Sequence, residues 1–133
     1  MAVKVKARYV GDDTVELEHG PSGKMITTDL PVDNGGRGRT FSPTDLLAAS
    51  LGSCILTIMA KAAAKDGLDL KGAVLEVEKE MQASPRRVAR LAGRITLPAH
   101  LSAEQKTRLK AFIKACPVHG SLHPEVKVEF AVD

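Results

Sequence analysis

The sequence has no tryptophan, and one tyrosine with three phenylalanines makes aromatics only 3% of its 133 residues. Its core must therefore be filled by aliphatic side chains. It also lacks an aromatic stacking platform for single-stranded nucleic acid. Excess charge of one sign is missing as well: nineteen Lys and Arg against sixteen Asp and Glu leave +3, with both signs interleaved along the chain. That reads as a solvated surface, so no nucleic-acid partner is expected. No membrane partner is expected either. The uncharged run 46–60 is short against the roughly 20 residues of a span, and Met1–Lys6 alternates instead of forming an apolar targeting segment. The expected location is cytoplasmic. Repeats, low-complexity tracts and interdomain linkers are absent, and 1–133 reads as a single domain long enough for a core of its own. Cysteine is scarce. Cys54 and Cys116, 62 positions apart, are too few for a disulfide framework. They could be inert core thiols, part of a metal site, or a redox pair.

The chain is organised around residues 42–67. Ser42 is placed as an N-cap, with Pro43 at the first helical position and Asp45 three residues after the cap. Gly67 is placed as a left-handed C-cap. The helix between them is apolar nearly all round, which predicts burial on every side. About 22 residues at 1.5 Å each give roughly 33 Å, against a radius of gyration near 14 Å for a domain of this size. A rod that long asks for a second subunit to cover it.

Before the helix, residues 3–10 alternate (Val3, Val5, Ala7 and Tyr9 against Lys4, Lys6 and Arg8), which predicts a half-buried strand. Gly11-Asp12-Asp13 turns it into a second strand at 14–18, and a turn at 19–24 leads to a third at 25–28. Gly23-Lys24 is not a phosphate loop, because Gly20 is too close and Met25 stands where Ser or Thr is needed. A Gly-rich loop, 30–40, then carries Arg37 and Arg39 up to the helix. It is either a flexible connector or the means of delivering a guanidinium to a site.

After the helix, 73–81 reads as a strand with Ala73, Leu75, Val77 and Met81 inward and Glu76, Glu78 and Glu80 outward. Residues 88–97 return with Leu91, Ile95 and Leu97 inward and Arg90, Arg94 and Thr96 outward. The hairpin would face a Glu row with an Arg row. Ser102-Ala-Glu-Gln105 is a capping box for a helix reaching about Cys116, with Leu109, Phe112, Ile113 and Cys116 as its apolar stripe, ended by Pro117. A last strand carries Val126, Val128, Phe130 and Val132. The expected fold is α+β: an antiparallel sheet of N-terminal strands, middle hairpin and C-terminal strand, packed on the central helix and a second helix.

Both cysteines fall on apolar faces that must share one small core. A free thiol ionises near pH 8.5, and full burial raises that by about 3 units or more. Cys54 is mid-helix, beyond the reach of the helix dipole. A cation at about 4 Å is worth on the order of 4 kcal/mol at an effective dielectric of 20, so a reactive Cys54 requires a nearby Arg, Lys or protonated His. Cys116-x2-His119-x3-His123, with His100 as a fourth, has metal-ligand spacing. Pro117, Gly120 and Pro124 fit an exposed loop equally well.

Asn34-Gly-Gly, Ser42-Pro-Thr-Asp-Leu-Leu-Ala-Ala-Ser-Leu-Gly-Ser-Cys54 and Ala115-Cys-Pro-Val-His119 with Leu122 together resemble the OsmC/Ohr family, the osmotically inducible and organic-hydroperoxide-resistance proteins. The order of elements matches over essentially the whole chain. The resemblance implies an intertwined homodimer and a thiol-dependent peroxidase reducing organic hydroperoxides or hydrogen peroxide. By position, Cys54 would be the peroxidatic thiolate, passing through a sulfenic acid. Cys116 would be the resolving thiol, closing a disulfide that an external dithiol or lipoyl-type reductant reopens. No cofactor and no metal are implied. The sequence departs from the family at the Glu ten residues before the Cys, which holds the activating Arg. Here that position is Thr44, and Asp45 beside it is turned by about 100° on the helix. Arg39 is the first choice for the activating cation, then Arg37, then an arginine at 86–87 from the partner subunit. The alternative from another class is a dimer binding a small apolar or thiol ligand near Cys54 without turnover.

Overall fold

Alternation at the N-terminus becomes a three-stranded antiparallel sheet: β1 (Val5–Gly11), β2 (Thr14–His19) and β3 (Met25–Asp29), in that spatial order. The β1–β2 turn is made by Asp12 and Asp13 at φ 55° and 62°, the two left-handed residues of a tight hairpin turn. The computed structural model describes all residues, 1–133, as two compact units, Met1–Leu46 and Leu47–Asp133. The sheet belongs to the first.

Register puts Val5, Ala7, Tyr9, Val15, Leu17 and Ile26 on one face of this sheet. The expected half-burial of β1 does not hold within the chain: Val5 is 62%, Tyr9 67% and Ile26 55% exposed. Buried groups in this unit are polar, with Thr28 at 5%, Asp29 at 2% and Ser42 at 1% exposure.

Helix α1 (Pro43–Lys65) starts and stops where expected. Ser42 Oγ accepts from Asp45 N at 3.0 Å and Asp45 Oδ2 accepts from Ser42 N at 2.9 Å, a reciprocal cap. At the other end Gly67 has φ 72°. Its N–H reaches Ala64 O and that of Leu68 reaches Ala63 O, the two bonds of a Schellman stop. Burial on every side is not reached by one chain alone. Within the chain only one stripe is covered: Ala48, Leu51, Gly52, Ile55, Met59 and Ala63. Ser50, Ser53, Thr57, Ala60 and Ala64 face outward, because one chain supplies packing on one side only. At 23 residues the helix is, by length and composition, long and apolar enough to cross a membrane.

In the second unit that stripe meets a sheet of β4 (Val74–Ala83), β5 (Arg86–Thr96) and β6 (Lys127–Val132), in the order β4-β5-β6. A Cβ on Gly52 would stand 3.0 Å from Leu75 Cδ2, so glycine there lets helix and sheet approach closely. Leu51, Ile55, Met59, Leu91 and Ile95 are fully buried, each contributing roughly 1.5–3 kcal/mol. The row of Leu75, Val77 and Met81 also holds Lys79, half-buried opposite Leu91. The facing charge rows form in part: Arg90 bridges Glu80 at 3.2 Å and Glu129 at 3.1 Å, while Arg94 turns to Asp133.

Two expectations are corrected here. The strands form two separate sheets, and β6 runs parallel to β5. The segment between them crosses over through α2 (Ala103–Lys110), a 3-10 turn (Ala111–Ala115) and the one-turn α3 (Pro117–Gly120), so the chain returns in its original direction. The helix capped by Ser102 and Gln105 also does not reach Cys116 as an α-helix. Pro117 has no N–H and pushes the preceding residue out of helical geometry. Cys116 is accordingly extended, at φ −66° and ψ 125°, and caps α3.

Candidate active site

Cys54 lies mid-helix at the margin of the buried stripe of α1, half-buried, and Cys116 is 1% exposed in the core. Both are free thiols. Folding brings them into one neighbourhood: Cys54 packs against the core cluster that contains Cys116, near enough for each thiol to feel the other. Burial pushes the Cys116 thiol up from its ordinary pKa, and the nearby Cys54 thiol adds to this. The N–H groups of His119 and Val118 pull it part of the way back. One thiol is exposed enough to meet a small molecule, and the other is protected in the core.

His119 was expected in an exposed loop. It is half-buried, and its Nδ1 lies 3.2 Å from Ile113 O. A carbonyl oxygen only accepts, so the proton sits on Nδ1. His123 is exposed, with Nδ1 accepting from Glu125 N at 3.1 Å. Cys116, His119, His123 and His100 do not gather, and no three His, Cys, Asp or Glu side chains are grouped to hold a metal.

Arg39 belongs to the first unit, where the Gly-rich loop is a tied structure. Gly36 N bonds Pro31 O and Gly38 N bonds Leu30 O. Arg39 Nε donates to Asp29 Oδ2 at 2.9 Å, Nη2 to Asp29 Oδ1 at 3.0 Å, and its backbone N to Asp29 Oδ2 at 2.7 Å. Nη1 reaches Asp12 Oδ2 at 2.9 Å and Nη2 reaches Asp12 O at 2.7 Å. Arg37 pairs with the other Asp12 oxygen. The Arg39 guanidinium beside Asp29 holds that carboxyl far below the usual carboxylate range, and Arg39 itself is raised in turn. Asp45 serves the helix cap, beside Thr44, whose Oγ1 lies 3.3 Å from Ser42 Oγ. Asp29, Asp12 and His119 are the polar residues whose roles the sequence did not signal. The one available hint was Asp12 in a turn, where a carboxylate is exposed to passing arginines.

Two sheets and a long core helix carrying a cysteine that neighbours a second cysteine define an α+β protein with a dithiol centre. The OsmC-like protein family matches residues 35–131, and the chain belongs to that family. A Psychrobacter arcticus protein named for osmotic stress induction and a detoxification response is 40% identical. The match covers 97% of this chain and 94% of that one, with a TM-score of 0.92. The Legionella pneumophila organic hydroperoxide resistance protein OsmC shares the fold at 21% identity and TM-score 0.76, over 100% of this chain and 97% of that one. The Bacillus subtilis organic hydroperoxide resistance protein OhrB does so at 16% and 0.67, over 100% and 98%. Among curated proteins none matches.

Proposed function

We propose that the chain is a thiol-dependent peroxidase acting on organic hydroperoxides or hydrogen peroxide. The observation that carries this is the placing of a half-exposed Cys54 against the same core cluster that holds Cys116. Support comes from relatives named for hydroperoxide resistance and detoxification. Cys54, the more accessible sulfur, attacks as thiolate. A sulfur–oxygen bond forms, the O–O bond breaks, and the alcohol or water leaves with a proton, giving a sulfenic acid. The Cys116 sulfur then displaces water and closes the disulfide, which an external dithiol of lipoyl type reduces by exchange. No bound cofactor takes part.

Arg39 is the proposed cation for the thiolate; its acidic partners are Asp29 and Asp12, while Asp45, expected in that role, caps α1. Arg39 has one Nη1 hydrogen uncommitted to Asp29 or Asp12, so its help amounts to one charge-assisted hydrogen bond unless Asp12 lets go. A homodimer is part of the proposal. The uncovered side of α1 and the exposed apolar face of β1–β3 both call for cover, and the expected solution mass is twice 14.2 kDa. A cytoplasmic location fits a reducible dithiol.

A second reading has one observation in its favour. A cavity of about 350 Å³ on α1, lined by Leu56, Thr57, Ala60, Leu68 and Leu70 and not by Cys54 itself, would suit a small apolar ligand held without turnover. Consumption of cumene hydroperoxide and of hydrogen peroxide, with a dithiol reductant present, separates the two. Turnover lost in Cys54→Ser, and over-oxidation with poor turnover in Cys116→Ser, are expected. Equal rates in wild type and Cys54→Ser would leave only the binding reading.

A further inference from the structure

Cys116 stands where the α-helical ladder of its segment is interrupted. The α-helix behind it has given way to a 3-10 turn at Ala111–Ala115, Pro117 breaks the hydrogen-bond ladder, and only the four-residue α3 follows. Backbone bonds close α3 on itself: Gly120 N reaches Cys116 O at 3.1 Å and Ser121 N reaches Val118 O at 3.0 Å. Ser121 Oγ also donates to Pro117 O at 2.8 Å. All of these lie on the Cys116 side of the break. His119 does something different. Its Nδ1–H crosses to Ile113 O at 3.2 Å, a carbonyl whose α-helical donor would be the N–H that Pro117 lacks, and to which the 3-10 turn leaves a second lone pair.

We infer that His119 is a positioning residue for the thiol pair. Its Nδ1–H bond to Ile113 ties α3 to the preceding turn and so holds the Cys116 sulfur against Cys54. The bond survives protonation, because Nδ1 carries hydrogen in both the neutral tautomer and the imidazolium. With the tie, the order needed for the disulfide is already present in the dithiol. Without it, closing the Cys54–Cys116 bond must itself order the Cys116 turn, and the disulfide becomes easier to reduce. This rests on the paired-thiol part of the proposed function and not on the peroxide step.

The full chain and its His119→Ala, His119→Asn and His119→Gln variants would be equilibrated with glutathione and glutathione disulfide, with the Cys54–Cys116 disulfide measured by mass. In that exchange two protein thiols are oxidised as one glutathione disulfide is reduced to two glutathiones. Asparagine places an N–H at the Nδ1 distance from the backbone, and glutamine places it one atom farther out. The equilibrium constant for the disulfide should fall about fivefold in the Ala and Gln variants, as expected for one lost hydrogen bond, and stay within about twofold in Asn. A merely structural role, weakening dithiol and disulfide forms alike, would not move this constant. Equal constants in all four proteins, or an equal loss in Asn and Gln, would overturn the inference. Failure of wild type to form the disulfide at all would instead sink the paired-thiol reading beneath it.

Discussion

Arg39 in the 1–46 unit and Cys116 in the 47–133 unit are both held from several sides, by opposite means. Arg39 has a side chain 41% exposed and is fixed by charge: two carboxylates, a backbone carbonyl and a threonine hydroxyl take up all but one of its side-chain N–H donors. Cys116, at 1% exposure, is fixed by packing among Leu109, Ile113 and the α1 stripe, with one thiol and two N–H groups as polar neighbours. A guanidinium cannot be deprotonated, so the protein controls it through its partners. A thiol can be, so the protein controls it through exposure. The first region is therefore sensitive to pH and salt, and the second to the loss of methylene groups.

The largest stability effect should come from breaking the packed region. Ile55→Ala removes a fully buried side chain from the middle of the stripe and should cost about 2–5 kcal/mol in urea unfolding. A loss under about 1 kcal/mol would mean the stripe is not the core it looks to be. The charged region should break differently. Asp29 is held below its unfolded value by Arg39. Its contribution is therefore fully present above about pH 4 and is lost as acid titrates it through the lower folded value. Asp29→Asn should lower stability at pH 7 and flatten the decline between about pH 4 and pH 2. Parallel acid declines in variant and wild type would show that the clamp is not what titrates. The smallest effect sharpens the same corner. Asp13 sits at φ 62°, where glycine is at ease, and Asp13→Gly should raise stability by about 0.5 kcal/mol or less. A clear destabilisation would show that the Asp13 side chain supports the turn.

Periodicity and caps were legible wherever the determining contacts are local. Ser42, Pro43 and Gly67 mark α1 to the residue, and Ser102 with Gln105 marks α2. Direction and partnership were not legible. The parallel entry of β6 depends on how a broken helix crosses the sheet. The role of Asp29 depends on an arginine ten positions on, and that of Asp12 on one 27 positions on. Cys54 and Cys116 were placed by their apolar surroundings, and their nearness needed the fold. His119 was misread because proline at 117 looked like a stop, whereas the chain turns once more and brings the ring back to Ile113.

The central claim is that Cys54 and Cys116 act as one redox unit. The most direct measurement is a single turnover: one equivalent of cumene hydroperoxide per protomer, followed by thiol counting and peptide mass. The account predicts one peroxide consumed, two thiols lost, a Cys54–Cys116 cross-linked peptide, and no consumption by Cys54→Ser. Peroxide consumed equally by Cys54→Ser, or two thiols still free after the peroxide is gone, would contradict it.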